Sequence, residues 1–268
     1  NSMYDAASVS ITRRFSRDLG FTAAYTFSKT IDDSTAELNS SALNPRRPQD
    51  FYNLQGERAV SALDIPHRFV SSLTYNITAF DGLSNGLLRN VLGGYQIGAL
   101  FQAQSGQPIT VRSGVDSNLN FDNVGDRAIL NLNGVRGTSS TVRAINAAGQ
   151  FVSMGHNSTV AYVAVNPNAE YIQAGIGARA TAGRNTLRTL GFNRTDANFT
   201  KNFKVGEGGK GLEIGAEFNN LFNQRNPTVA GVGALTGAFA TTGNAAFNNY
   251  GIGNYPGRFV QLRARILF

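Results

Sequence analysis

The sequence contains no cysteine and no tryptophan, and only two of its 268 residues are histidines. Without cysteine the chain can form no disulfide, no thiol nucleophile and no cysteine-ligated metal site. Metal sites usually need three or four ligands, and His67 and His156 lie far apart in the sequence. We therefore expect no metal ion or other cofactor.

Long apolar runs are also missing. No stretch approaches the roughly 18 to 20 apolar residues of a membrane-spanning helix, and no basic-then-apolar secretory signal opens the chain. The protein is therefore predicted either to be soluble or to cross a membrane by strands. Because the sequence begins with Asn1 rather than Met, we expect a fragment of a longer mature protein.

Charge is scarce, since Asp, Glu, Lys and Arg make up 15% of the residues, and 24 Lys and Arg outweigh 17 Asp and Glu to give a net charge of +7. The basic residues are scattered singly or in pairs such as Arg13–Arg14 and Arg46–Arg47. Nucleic-acid binding requires basic residues gathered on one surface. No nucleic-acid partner is expected.

Period-two alternation of apolar and polar residues recurs along the chain, whereas helical periodicity hardly appears. The segments span about 9 to 12 residues, the length of a tilted transmembrane strand. Arg13 and Lys201 are charged members of the apolar faces, and both fall near strand ends, where long side chains can reach the membrane interface. The seven apolar faces comprise Ala7, Val9, Ile11, Arg13 and Phe15; Leu19, Phe21, Ala23, Tyr25 and Phe27; Phe69, Ser71, Leu73, Tyr75 and Ile77; Tyr95, Ile97, Ala99, Phe101 and Ala103; Ala197, Phe199, Lys201 and Phe203; Leu212, Ile214, Ala216 and Phe218; and Val260, Leu262, Ala264, Ile266 and Phe268.

Short and long connections alternate between these segments. The long ones run from about residue 30 to 67, 111 to 195 and 224 to 257, and they are rich in Asn, Gly, Ser, Thr and Ala. Outer-membrane barrels have short periplasmic turns and long extracellular loops, whereas structureless connections of this length are unusual in a compact soluble domain. The predicted fold is therefore all-β: an antiparallel transmembrane β-barrel in contact with outer-membrane lipid, of which this chain supplies about seven C-terminal strands with long extracellular loops.

Several blocks of the sequence occur in the order found in one transporter family. These blocks are ASVSITRRFSRDLGFTAAYTFSKTIDD, LDIPHRFVSSLTYNI, LLRNVLGGYQIGALFQAQSGQPITV, AGRNTLRTLGFNRTDANFTKNF, LEIGAEFNNLFNQRNP and GRFVQLRARILF. Together they resemble the C-terminal barrel strands of Oar-like TonB-dependent outer-membrane transporters, which often carry an N-terminal carboxypeptidase-regulatory-like domain. The resemblance covers most strands and few loop residues.

The resemblance implies a 22-stranded barrel plugged by an N-terminal domain and energised through a segment that contacts TonB. Seven strands cannot close such a barrel, so residues 1–268 are expected to form its C-terminal portion, with the plug, the regulatory-like domain and the TonB contact outside this chain. The ending also resembles the assembly signal recognised by the barrel insertion machinery. That signal is predicted on the closing strand, at Val260, Leu262, Ala264, Ile266 and Phe268.

The expected function is TonB-dependent uptake of a large scarce solute across the outer membrane of a Gram-negative bacterium. A passive porin-like barrel and a secreted β-sandwich that binds or supports other molecules remain alternatives, and the sequence does not identify the solute. Neither a phosphate-binding G-x-x-x-x-G-K-[ST] loop nor a G-x-S-x-G nucleophile elbow occurs, so no enzyme is expected. Asp64 with His67 is expected to be structural, and Asp32 with Asp33 to lie at a solvated loop mouth.

Overall fold

The computed structural model describes residues 1–16, 18–34, 48–121, 125–189, 191–204, 210–226 and 257–267. Helical structure in these ranges consists of α1 (Gly86–Leu92) and a 3-10 turn at Leu54–Glu57. The strands are β1 (Ser2–Ser16), β2 (Leu19–Asp32), β3 (Ala59–Val60), β4 (His67–Ile77), β5 (Tyr95–Gln104), β6 (Pro108–Ile109), β7 (Ile129–Leu130), β8 (Val135–Ser140), β9 (Val142–Ile145), β10 (Phe151–Val152), β11 (Ala161–Ala164), β12 (Ala169–Ile172), β13 (Leu187–Arg188), β14 (Phe192–Lys204), β15 (Gly211–Asn219) and β16 (Phe259–Leu267).

The main sheet is an antiparallel meander in the order β1-β2-β4-β5-β14-β15-β16, with β3 added beside the end of β2. Its seven long strands coincide with the seven predicted segments, so the all-β prediction is confirmed. Within the described residues β1 and β16 do not pair with each other, and the sheet is open. That these strands supply only part of a larger barrel stays a prediction. None of the helices described is long and apolar enough to cross a membrane.

The strand register places the predicted apolar faces side by side. Leu73 lies opposite Phe21 on one neighbour and Ala99 on the other. At the far edge, Ala216 lies opposite Phe199 and Leu262. Because side chains alternate across a strand, this alignment gathers the apolar residues on one face of the sheet.

That apolar face remains exposed to its surroundings. Val9 is 65% exposed and Leu262 is 78% exposed, although both belong to strand interiors. In a soluble sandwich a second sheet would cover such residues. The pattern is the one expected of a sheet that presents its apolar face to lipid.

The opposite face carries hydrogen-bonded polar side chains. Ser8 Oγ and Thr26 Oγ1 are 3.0 Å apart, and Gln96 Nε2 donates to Asn76 Oδ1 at 2.9 Å. On β15 and β16, Arg263 forms ion pairs with Glu213 at 3.2 Å and Glu217 at 3.1 Å. Polar cross-strand pairs of this kind are typical of a barrel interior.

The short connection between β4 and β5 contains α1, which the strand pattern did not predict. Asn85 caps this helix, because its Oδ1 accepts from Leu87 N at 3.0 Å and from Leu88 N at 3.2 Å. At the other end, Lys201 Nζ donates to Asn90 O at 2.7 Å and to Gly93 O. The ammonium group of Lys201, which was predicted on the apolar face, is therefore hydrogen-bonded to carbonyl oxygens at the C-terminal end of α1.

The long connection from β5 to β14 is folded rather than structureless. We call residues 105–189 the loop subdomain. It contains one two-stranded sheet, β6-β13, and two three-stranded sheets, β7-β12-β8 and β10-β9-β11. Strands β8 and β12 run parallel to each other. The third long connection is described only as far as Asn226, and residues 227–256 lie outside the described ranges.

Candidate functional site

The loop subdomain has a small hydrophobic core of its own. Ile109, Val111 and Tyr171 are buried there together with Ala128 and Ala182. The Tyr171 hydroxyl donates to Thr186 Oγ1 at 3.0 Å. Burial raises the pKa of Tyr171, because the interior disfavours the phenolate. The core gives this connection a fixed shape.

Buried ion pairs join the loop subdomain to the connection between β2 and β4. Glu57 is 4% exposed and pairs with Arg127, while Arg184 pairs with Asp32 at the end of β2. Arg184 Nε also donates to the Glu57 carbonyl oxygen at 3.0 Å. Burial lowers the pKa of Arg127, and the neighbouring Glu57 opposes that shift. The acids and the arginines thus come from different connections.

A third buried contact strengthens this junction. Asp64 is fully buried and pairs with Arg188 of β13, whose Nη1 also donates to the Asp64 carbonyl oxygen at 3.0 Å. Asp64 Oδ1 in turn accepts from Thr30 N at 2.5 Å, and Asn185 Nδ2 donates to Val60 O at 2.6 Å. The two connections therefore form one braced structure next to the ends of the main sheet.

A cleft of about 880 Å3 opens in this braced structure. Its walls come from residues 49–53, 56–57, 117–120 and 177–183, together with Arg127. Phe51, Tyr52 and Leu119 line it and are largely exposed, whereas Asp50, Asn118 and Arg179 contribute polar groups. A concave surface with apolar side chains and a few polar groups is typical of a site for a soluble ligand.

Two of the acidic residues singled out in the sequence, Asp32 and Asp64, form ion pairs at the junction between the two connections and do not form an acid/base pair or a metal site with His67. Asp64 pairs with Arg188, whereas His67 Nδ1 is hydrogen-bonded to the Tyr25 hydroxyl at 2.7 Å. The expectation of a solvated loop mouth is wrong for Asp32, which is 5% exposed and paired with Arg184. Across the ranges described, no group of three or more His, Cys, Asp or Glu side chains could hold a metal ion.

The predicted assembly signal lies on β16, the last strand of the sheet. Val260, Leu262, Ala264 and Ile266 are exposed on it, opposite apolar or small residues of β15. Phe268, the terminal residue of the predicted signal, falls outside the described residues. The role of these residues in assembly stays a prediction.

The sequence analysis missed the junction and the cleft. The ion-paired residues are 70 to 152 positions apart in the chain. No periodic pattern links such residues, so only the folded structure brings them together.

Together, four features define an outer-membrane β-barrel protein. They are the single-layer meander, its exposed apolar face, its polar opposite face and the folded connections at one edge of the sheet. The comparisons agree, because residues 1–261 match the model of the outer membrane beta barrel domain family. The chain belongs to this family. No curated protein and no solved structure matches it. The sheet is therefore part of a membrane β-barrel, and the family match indicates the outer membrane as its location.

Proposed function

We propose that this chain is the C-terminal part of a TonB-dependent transporter that takes up a large scarce solute through a plugged barrel. The sequence resemblance to Oar-like transporters supports the proposal, as does the match between the seven predicted strands and the observed sheet. The solute is first bound at the long-connection edge, which faces the exterior in this assignment.

The observation that carries the proposal is the braced cleft. Its volume of about 880 Å3 lies within the roughly 300 to 1,000 Å3 usual for small-molecule sites. Buried pairs such as Arg184–Asp32 and Arg127–Glu57 fix the connections that form it. Capturing a scarce solute requires a preformed surface, since ordering a mobile loop on binding costs affinity. Passive diffusion through a porin requires no such surface.

The proposed partners follow from this assignment. The apolar face contacts outer-membrane lipid, and the barrel insertion machinery recognises the closing strand through Val260, Leu262, Ala264, Ile266 and Phe268. TonB contacts N-terminal parts that precede this chain in the transporter. The protein acts by binding and translocation rather than by catalysis.

Conductance measurements on the protein expressed from the complete gene test the proposal without knowledge of the solute. In planar bilayers a plugged transporter should give little steady current, and its periplasmic side should bind the periplasmic domain of TonB. A matched variant lacking the plug should conduct. Stable, ohmic current from the complete protein, together with no TonB binding, would instead establish the passive porin.

A further inference from the structure

One wall of the cleft has the spacing of a calcium-binding loop. Asp116, Asn118 and Asn120 occupy alternate positions, as do the first three ligands of the D-x-[DN]-x-[DN]-G-x5-E loop. The sequence departs from that pattern at Phe121, where the pattern has Gly, and at Arg127, where it has Glu. Phe121 nevertheless adopts φ 66°, the left-handed conformation that favours glycine.

Backbone amides hold the first two of these side chains in place. The Asp116 carboxylate accepts from Asn120 N at 3.0 Å and from Phe121 N at 2.8 Å. Asn118 Nδ2 donates to Gln49 O at 2.6 Å, which leaves its Oδ1 on the loop side, where it accepts from Asn120 N at 3.1 Å. The chain therefore curls around side-chain oxygens, the atoms that Ca2+ prefers.

Asp126 provides an independent observation that points to a cation site. It is 0% exposed, and its Oδ1 accepts from Ser117 Oγ at 3.0 Å, but its buried Oδ2 has no hydrogen-bond partner. The hydrogen bond from Ser117, which lies between Asp116 and Asn118 in the chain, places the Asp126 carboxylate next to this segment.

Neither carboxylate takes part in an ion pair within the part of the chain that is described. The neighbouring Arg127 pairs with Glu57, and no ion pair there involves Asp116 or Asp126. A buried carboxylate oxygen without a partner is costly. A bound divalent cation would remove that cost by coordinating the oxygen.

We propose that Asp116, Asn118, Asn120 and Asp126 bind a calcium ion. Two carboxylates and two carboxamide oxygens form a mixed oxygen set, which suits Ca2+ because Ca2+ accepts six to eight oxygen ligands in flexible geometry, with waters completing the shell. Mg2+ demands a tighter octahedron and keeps its waters. The proposal does not depend on TonB coupling, because a porin could carry the same site.

The location of the site gives the ion a consequence for the cleft. The segment from Ser117 to Asn120 lines that cavity, and it contains two of the proposed ligands, Asn118 and Asn120. A bound ion would fix this wall by holding Asp116 and Asp126 together. Calcium would thus stabilise the loop subdomain and set the shape of the cleft.

The test uses the full-length protein, purified in detergent, stripped with a chelator and titrated with Ca2+ or Mg2+ by calorimetry. Wild-type protein should bind Ca2+ more tightly than Mg2+, and Asp126→Asn and Asp116→Asn should each weaken Ca2+ binding by about tenfold or more. Asp50→Asn is the matched control, since it removes the same charge from the same cleft and should leave the affinity unchanged.

Protease resistance of the loop subdomain provides a second measurement. Without Ca2+, Asp126→Asn should resist cleavage at least as well as wild type, because Asn keeps an acceptor for Ser117 and removes a buried charge. Adding Ca2+ should protect wild type but not the variant. Equal Ca2+ affinity in wild type and both ligand variants would overturn the proposal, as would equal affinity for Mg2+ or no binding at millimolar Ca2+.

Discussion

Replacing Arg184 with Met tests whether the buried ion pairs hold the loop subdomain to the barrel. The change removes a guanidinium that contacts Asp32, the Asp32 carbonyl oxygen and the Glu57 carbonyl oxygen. Asp32 and Glu57 stay buried, and each loses its hydrogen bonds from Arg184. Removing one partner of a buried ion pair costs about 3 to 5 kcal/mol, because the remaining charge is left uncompensated.

This cost should appear as local opening rather than as loss of the barrel, because the β-ladder of the main sheet does not use Arg184. A penalty of about 3 to 5 kcal/mol corresponds to roughly two to four powers of ten in the opening equilibrium. Native-state hydrogen exchange measures that equilibrium directly. Amides of the loop subdomain, such as Ala128 N, should exchange faster by this factor, while amides of β4 and β5 should not change.

Arg58→Met is the matched control. Arg58 is adjacent to Glu57 and pairs with Asp33, which is adjacent to Asp32, but the side chains of this pair are 49% and 33% exposed. Exposed ion pairs contribute little because water screens them, so exchange in the loop subdomain should hardly change. If Arg184→Met and Arg58→Met had equal effects, the buried pairs would not be what fixes the loop subdomain.

Three further predictions concern the core, the two faces of the sheet and its last strand. Because burial raises the pKa of Tyr171, its contribution to stability is present below about pH 10 and is lost as the pH rises through its folded pKa. Subtracting the tyrosinate absorbance titration of Tyr171→Phe from that of wild type should therefore isolate a late-ionising phenol; an ordinary midpoint would contradict this. Ala216→Arg on the apolar face should destabilise the barrel by about 2 to 4 kcal/mol in denaturant titrations in lipid, and Thr74→Arg on the polar face should cost much less; equal costs would refute the face assignment. Phe268→Asp should sharply reduce heat-modifiable barrel in purified membranes without changing synthesis, whereas Phe268→Tyr should assemble because it keeps an amphipathic ring; normal assembly of the Asp variant would exclude the terminal signal.

The strands could be predicted because their information is local. Because side chains alternate between the two faces of a strand, the apolar residues at every second position from Phe69 to Ile77 predicted β4 without knowledge of the neighbouring strands. The pairing of β1 with β2, of β4 with β5 and of β14 with β15 agrees with the short connections between them, since strands joined by a short connection usually pair. Helix α1 was not predicted because seven residues are too few to show a helical period, although Asn85 before an apolar run is a helix-capping signal.

The loop subdomain is held in place by contacts between residues that are distant in the sequence, which explains why its sequence did not predict its structure. The structural role of Arg184 depends on its ion pair with Asp32, from which it is separated by 152 positions. Taken alone, an arginine in a polar loop predicts solvent exposure. Asp116, Asn118 and Asn120 are the exception, because their alternate spacing is a local signal for oxygen ligands. Even there, the decisive observation is the buried and unpartnered Oδ2 of Asp126, which no spacing reveals. In this protein local pattern therefore specifies the membrane sheet, whereas the shape of the cleft depends on charged residues that are brought together only by folding.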